Sequence, residues 1–237
     1  PCKGIPNEFF NFFSFSFSYL GFNLKSEKFK DIRIREALSL AINRQELVDI
    51  LFFGYGKVCN GPFLPDSFAY NDEVQTPVQD INKAKELLKE AGYDENNPFT
   101  FEIVTNTGND IRINAAQILQ YQLQKSGIIM NIRVMEWQAF LNTIVHPRKF
   151  EAVLLGWSLA LMPDAYPLWH SSSAKLGGFN LVSYKNKKVD ELIEKGSSTI
   201  NRDELGKIYK EIFKTINEDL PYLFLYIPDS ITVVNKD

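Results

Sequence analysis

The spacing of apolar residues predicts a long helix near the start of the chain. The apolar positions that share one helix face are Ile34, Leu38, Ala41 and Ile42. Asp31 precedes them and can accept hydrogen bonds from the free amides of the first turn. Gly54 follows the pattern and is a helix-stopping residue. The sequence therefore predicts one continuous helix from Asp31 to Phe53.

Beyond this helix, the chain alternates between strand-like and helix-like patterns. Residues 56–72 are rich in Gly, Pro and aromatic residues, which is typical of a long structured loop, and residues 80–92 form a helical pattern with Asp80 as its cap. Apolar runs typical of strands cover 99–105, 128–136, 150–157 and 221–227. Helical patterns cover 111–127, 137–145, 189–199 and 202–219. Because strand, helix, strand units close as parallel crossovers, the alternation predicts the α/β class, with a mixed sheet flanked by helices.

The composition is that of an ordinary globular protein. The 237 residues are 45% hydrophobic and 23% charged, which permits one large α/β domain or two small ones. The 26 basic and 29 acidic side chains give a net charge of −3 without a basic block, so nucleic acid is not an expected partner. Aromatic residues reach 14%, and we expect some of them to line a pocket.

The opening residues show no export signal. The chain does not begin with Met, and its opening residues lack the basic and apolar segments of a signal peptide. An export signal, if the protein has one, would lie upstream of these residues, and the sequence pattern itself leaves the compartment open. Cys2 and Cys59 match no metal or redox spacing, so a disulfide framework is not expected to hold the fold.

Catalytic and metal-binding motifs are weak in this sequence. His146 and His170 have no second His or Cys at metal-ligand spacing, and the pair Gly177 and Gly178 is too short for a phosphate loop. We expect no cofactor, no metal site and no enzymatic activity. An esterase or peptidase remains an alternative, and its nucleophile set would combine Ser158 or Ser171 with His170 and Asp164.

Three aromatic-rich segments are candidates for a binding site. They cover 61–70, 136–140 and 156–170. The third directly follows the predicted strand 150–157, and open α/β sheets place their ligands at the carboxyl ends of their strands. A hydrophobic loop that only packs on the core is the alternative interpretation.

Seven segments, in order from Tyr19 to Asp237, resemble a known family. They include YLGFNL at 19–24, FKDIRIREALSLAINRQELVD at 29–49, EWQAFL at 136–141 and LLGWSLALMPDAYPLWHSS at 154–172. The others are GPFLP, GGFNLVSYKNKKVDELIEKG and PYLFLYIPDSITVVNK. Together they are similar to the extracellular solute-binding proteins of family 5, the peptide and nickel receptors of ABC importers.

The resemblance implies a fold and a division of the chain. Family members have two lobes that close on a solute, and this chain resembles the second lobe of a type II periplasmic-binding-protein fold. Residues 1–18 would be a lead-in, residues 19–227 the ligand-binding lobe with a hinge strand at each end, and residues 228–237 the start of the return to a missing first lobe.

The resemblance also implies a set of ligand-binding candidates. Asn23 matches the Asn of the hinge strand, and Trp137 and Trp157 match pocket tryptophans. The other candidates belong to the aromatic segments, and they are Phe63, Ser158, Asp164, Tyr166, Trp169 and His170.

Three departures from the family pattern bear on the ligand. Ala160 stands where related receptors carry an Asp for a peptide amine, and Leu154 and Ile144 stand where they carry Arg. Asp164 is four residues further on, but the intervening Pro163 constrains the backbone differently. The expected ligand is therefore a peptide or a related small solute without a strict need for a free amine.

The implied function is solute binding for import. The chain would belong to the substrate-binding component of an ABC importer and would deliver its solute to a membrane permease. The resemblance also implies a periplasmic or extracellular location, and a missing upstream signal segment could carry a lipid anchor. A sensor or a chaperone that grips peptides without import is the alternative. If the receptor interpretation is right, both ends of the chain must leave from the same side of the lobe.

Overall fold

The protein is built on one mixed sheet. The computed structural model describes residues 7–160 and 162–235. Its strands are β1 (Asn7–Phe13), β2 (Ser16–Phe22), β3 (Gly56–Val58), β4 (Thr100–Asn106), β5 (Ile129–Met135), β6 (Ala152–Ser158) and β7 (Tyr222–Asn235). The order across the sheet is β1-β7-β2-β6-β4-β5, and β3 pairs with β7. β4 runs parallel to β5 and β6, which confirms the predicted mixed sheet and the parallel crossover.

Helices cover both faces of this sheet. They are α1 (Ile32–Ala41), α2 (Arg44–Phe52), α3 (Ile81–Glu90), α4 (Asp110–Gln124), α5 (Trp137–Phe140), α6 (Tyr166–Trp169), α7 (Lys187–Ser198) and α8 (Arg202–Asp219). A π-helical turn at Leu141–Val145 extends α5. Asp31 and Asp80 cap α1 and α3 as predicted, because their carboxylates accept from the backbone amides of Arg33 and Lys83. Among the described residues, no helix combines the length and apolar character needed to cross a bilayer.

Two hydrophobic cores result from the alternation of side chains along the central strands. Tyr19 and Val153 point to the face covered by α7 and α8, whereas Leu20 and Leu154 point to the face covered by α1, α2 and α4. Successive strand residues face opposite sides, so a strand that is covered on both sides is apolar throughout. This explains the nearly continuous apolar runs of β6 and of the first half of β7.

The predicted single helix from Asp31 to Phe53 is wrong, because the structure divides it into α1 and α2. Ile42 has an extended backbone, and the Asn43 side chain accepts from the Glu46 amide, which starts the second helix. The fully buried Gln122 of α4 holds this break by bonding both the amide and the carbonyl of Asn43. The helical period of the apolar residues continues across the break, so it does not reveal it.

The two ends of the described chain lie side by side. β1 pairs with the second half of β7 in antiparallel register, from Phe13 opposite Asp229 to Asn7 opposite Asn235. β2 pairs with the first half of β7, where Ser18 lies opposite Tyr226. The expectation that both ends leave from the same side is confirmed. Residues 1–6 of the predicted lead-in and 236–237 of the predicted return lie outside the described residues.

Gly61 should be required by the packing of α8 against the loop before α3. An ideal Cβ at Gly61 would lie 2.6 Å from Nδ2 of Asn217 and would overlap the ring of the fully buried Phe213. We expect Gly61→Ala to lower the free energy of unfolding by about 1–3 kcal/mol, measured by urea denaturation. Gly206→Ala in α8 is the matched control, because its Cβ would meet only Phe68 O at 3.7 Å, and it should stabilise by about 0.5–1 kcal/mol. Equal effects of the two substitutions would contradict this packing argument.

Candidate functional site

A large, mostly apolar cavity opens at the carboxyl end of β6. Its volume is about 940 Å³. One wall is the segment that follows β6 and leads into α6, and the opposite wall is the Pro62–Ser67 loop. The apolar side chains that line the cavity include Phe15, Pro62, Phe63, Leu64, Trp157, Leu159, Met162, Leu168, Trp169, Phe179 and Ile227. The position agrees with the expectation for ligands of open α/β sheets.

Trp157 is held at the mouth of this cavity by an aromatic stack. The rings of Tyr19 and Tyr222 are parallel with their centroids 3.9 Å apart, and the Trp157 ring is parallel to Tyr19 at 6.3 Å. Trp157 also donates from Nε1 to Tyr222 Oη at 3.3 Å. Burial raises the pKa of Tyr222 to about 12, so its hydroxyl stays neutral at physiological pH and can accept this bond. Because the three rings come from β2, β6 and β7, the sheet itself positions Trp157.

A second, smaller cavity adjoins the first and shares Trp157 and Ser158 with it. Its volume is about 320 Å³, and it lies between the ends of β2 and β6 and the start of α4. Arg112, in the first turn of α4, lines this cavity. Asn109 caps the helix, because its side chain accepts from the Arg112 amide at 2.9 Å. The N-terminus of α4 and the Arg112 side chain therefore line the same cavity.

Arg112 carries a positive charge with little local compensation. Its Nη1 donates to Asn106 Oδ1 at 2.6 Å, a neutral partner. Its Nε is shielded from solvent and has no hydrogen-bond partner, and Arg112 forms no ion pair within the described residues. Burial lowers the pKa of Arg112, but the ordinary value is so high that the side chain stays charged at neutral pH. A partly buried cation of this kind favours an anionic ligand group.

Gly156 lies against the backbone of β2 and beside Arg112. A Cβ at Gly156 would lie 2.9 Å from the Phe17 carbonyl oxygen and 3.4 Å from Nη2 of Arg112. The first distance is too short for a side chain, whereas the second is an ordinary van der Waals contact. The glycine before Trp157 therefore allows the close approach of β2 to β6 at the edge of the smaller cavity.

Two carboxylates lie on the solvent side of the large cavity. Asp66 and Asp164 both line it, and both side chains belong to exposed residues. Asp164 Oδ1 accepts from the Tyr166 amide at 3.0 Å. Neither carboxylate forms an ion pair with another described residue. In water, such groups attract a ligand cation only weakly.

The structure brings five of the nine sequence candidates together. Phe63, Trp157, Ser158, Asp164 and Trp169 all line the large cavity. Trp169 is fully buried and packs on Tyr222 at 4.8 Å, so its ring belongs to the core beneath the cavity.

The other four candidates line neither cavity. Asn23 donates from Nδ2 to the carbonyls of Arg148 and Phe150, and thus links β2 to the segment before β6. Trp137 begins α5 and is 40% exposed, with its ring 6.2 Å from Phe140.

Tyr166 and His170 form a local cluster away from the cavities. Their rings stack at 4.3 Å, and His170 Nδ1 lies 2.7 Å from Ser172 Oγ. The Ser172 amide also donates to His170 Nδ1, so His170 caps the following 3-10 turn. The hydrogen bonds of His170 thus reach Ser172 and Glu194, not Ser158, Ser171 or Asp164.

The positions that depart from the family pattern differ in exposure. Ala160 lines the large cavity. Leu154 is fully buried on the opposite face of the sheet, and Ile144 is buried in the core beside α5. A basic residue at Leu154 or Ile144 would therefore have to displace core packing, whereas Arg112 reaches the cleft from another element.

Arg112 and Phe179 are the main cavity residues that the sequence analysis missed. A signal existed for Arg112, since it lies just after a capping Asn and follows the carboxyl end of a strand that is parallel to β6. A weaker signal existed for Phe179, which follows a Gly pair that is too short to form a phosphate loop. No group of three or more metal-ligating side chains occurs in the described part of the chain.

Comparison with known proteins gives a consistent family. Residues 6–179 match the bacterial extracellular solute-binding proteins, family 5 Middle. The oligopeptide-binding protein AppA of Bacillus subtilis is 37% identical over 228 residues, which cover 91% of this chain and 42% of AppA. The structure of that AppA in complex with a nonapeptide superposes with a TM-score of 0.88 and 34% identity, over 97% of this chain and 48% of the other.

A protein solved with a bound nickel complex has the same fold. NikZ from Campylobacter jejuni, solved in complex with Ni(L-His), superposes with a TM-score of 0.86 and 30% identity, over 98% of this chain and 48% of that one.

The chain thus spans about half the length of the relatives it matches. The fold is that of one lobe of a type II periplasmic binding protein. The chain belongs to family 5 of the bacterial extracellular solute-binding proteins.

Proposed function

We propose that this chain is part of the substrate-binding component of an ABC importer, which binds a peptide or a related small solute and delivers it to a membrane permease. The observation that carries the proposal is the pair of adjoining cavities that meet at Trp157 and Ser158. One is large and apolar, and the other contains the uncompensated cation Arg112. A solute with an apolar part and an anionic part fits this pair.

The family relation supports the same proposal. A relative, AppA of Bacillus subtilis, is named as an oligopeptide-binding protein, and its structure holds a nonapeptide. Peptides combine apolar side chains with a terminal carboxylate, which are the two chemical groups that the cavities select. Members of this family are extracellular proteins. We propose the same location for this protein, and its lipid anchoring stays a prediction.

We further propose that the protein binds its solute without chemical conversion. His170 and Ser172 are within hydrogen-bond distance, but His170 Nδ1 accepts from the Ser172 amide, which is the geometry of a turn cap. Neither residue lines either of the two cavities described above. Turnover of p-nitrophenyl acetate and of a chromogenic peptide should be identical in the wild type and in His170→Ala. A rate that falls more than about tenfold in the variant would show that the cluster is catalytic.

Arg112 should bind the anionic end of the solute. We expect Arg112→Gln to weaken binding of a tripeptide with a free carboxylate by about 10- to 100-fold, since charge-assisted hydrogen bonds contribute about 1.5–3 kcal/mol. The same tripeptide with an amidated carboxyl end should lose less than about threefold. Titration calorimetry on the full-length protein measures both. Arg133→Gln is the matched control, because Arg133 makes only a 3.8 Å ion pair with Glu102 and lines neither cavity. Equal losses for the two ligands would contradict the assigned role of Arg112.

A free amine should matter little for binding. Ala160 offers no charge, and the carboxylates of Asp66 and Asp164 are exposed, where an ion pair contributes only about 0–1 kcal/mol. We expect acetylation of a peptide amine to change the affinity by less than about tenfold in calorimetry. Trp157→Ala should cost more, because it removes a wall of both cavities. A stronger loss on acetylation that disappears in Asp164→Asn would show that Asp164 binds the amine.

A further inference from the structure

A short loop places a partly exposed aromatic ring over the mouth of the large cavity. The loop spans residues 175–180 and carries Phe179, whose side chain is 56% exposed. The Phe179 ring stands at 87° to the Trp157 ring, with the centroids 5.9 Å apart. Phe179 is therefore the only aromatic wall of the described cavity that comes from a loop and also contacts the Trp157 ring.

The Arg148 side chain binds the backbone of this loop. Its Nη2 donates to the Lys175 carbonyl at 2.6 Å, and it also lies 3.4 Å from the Gly178 carbonyl and 3.3 Å from the Asn180 carbonyl. No ion pair involves Arg148 in the described part of the chain. The guanidinium is thus used entirely to gather main-chain carbonyls from both ends of the loop.

Close packing and further hydrogen bonds also restrict the conformation of the loop. Gly178 tolerates no Cβ, because that atom would overlap the Ser173 carbonyl. Asn180 is fully buried and bonds the backbone of Tyr184 through both its amide and its carbonyl oxygen. Asn23 in turn holds Arg148 by donating to its carbonyl oxygen at 3.2 Å. Asn23 thus connects to the cavity through Arg148 and the loop, without lining it.

We propose that Phe179 determines the specificity of the large cavity for aromatic groups and that Arg148 is the positioning residue that holds Phe179 against Trp157. This inference rests on the proposed function as a solute receptor. Two perpendicular rings offer a ligand ring one partner for stacking and one for an edge contact at the same time. An aliphatic group of similar size gains the apolar contact but not these ring geometries.

Binding of matched peptides tests the specificity. The probes are N-acetylated trialanine peptides in which one position at a time is replaced by Phe or by Leu, measured by calorimetry on the full-length protein. The wild type should prefer the Phe peptide over the Leu peptide at one position by about three- to tenfold. Phe179→Leu should reduce that preference below about twofold while the Leu peptide keeps its affinity within about twofold.

Variants of Arg148 separate positioning from general stability. Arg148→Gln should remove the preference as Phe179→Leu does, and Arg148→Lys should restore part of it, since an ammonium can still donate to several carbonyls. Arg133→Gln is the control and should retain the full preference. The proposal is overturned if the wild type binds both peptides equally, or if Arg148→Gln weakens both by the same factor.

Hydrogen exchange tests the positioning independently of any ligand. The Gly178 amide donates to the Lys175 carbonyl at 2.9 Å, and this bond closes the loop that Arg148 holds. Its exchange should be at least tenfold faster in Arg148→Gln than in the wild type, and unchanged in Arg133→Gln. If none of the peptides binds, the proposed peptide ligand is wrong, yet faster exchange would still support the role of Arg148. Unchanged exchange would refute it whatever the ligand.

Discussion

Strands β2, β6 and β7 bury side chains on both of their faces, and the rest of the structure depends on this constraint. A shift of one residue in their pairing would move Tyr19 and Tyr222 to the side of α1 and Leu20 and Leu223 to the side of α8. Both faces would then be mispacked at once. The register is therefore strongly specified, and the ends of the strands are placed with the same accuracy as their centres.

The cavities lie where the strands stop being buried on both faces. Along β6, Val153 and Leu155 are buried on one face, but Trp157 is only partly covered and ends in the space between the two walls of the cleft. The aromatic stack extends from the core to that point, so the ring at the mouth of the site rests on fully buried rings. Binding surfaces that rest on a rigid core need little ordering when the ligand arrives, which lowers the entropy cost of binding.

The sequence predicted the sheet and the segment that lines the large cavity, but not Arg112 or the loop that carries Phe179. Apolar runs and the aromatic segment after β6 indicated this part of the chain, since they express burial and strand ends directly. The division between α1 and α2 was missed because it depends on Gln122, which is 79 residues away from Asn43. His170 lines neither cavity, because its side chain caps the following turn, whereas Trp169 lines the large cavity from the fully buried core beneath it. Contacts between distant segments leave no local pattern to detect.

The positive and negative charges of the cleft differ in their contact with water. Arg112 lines the small cavity, and its Nε is shielded from solvent, whereas the carboxylates of Asp66 and Asp164 remain in contact with solvent. Electrostatic attraction is several times stronger where water is excluded than at an exposed surface. For the receptor function proposed above, this arrangement favours the anionic groups of a solute over its cationic groups. The proposed discrimination by the apolar cavity then rests on shape and ring contacts, which act only over short distances and thus depend on where the loop places Phe179.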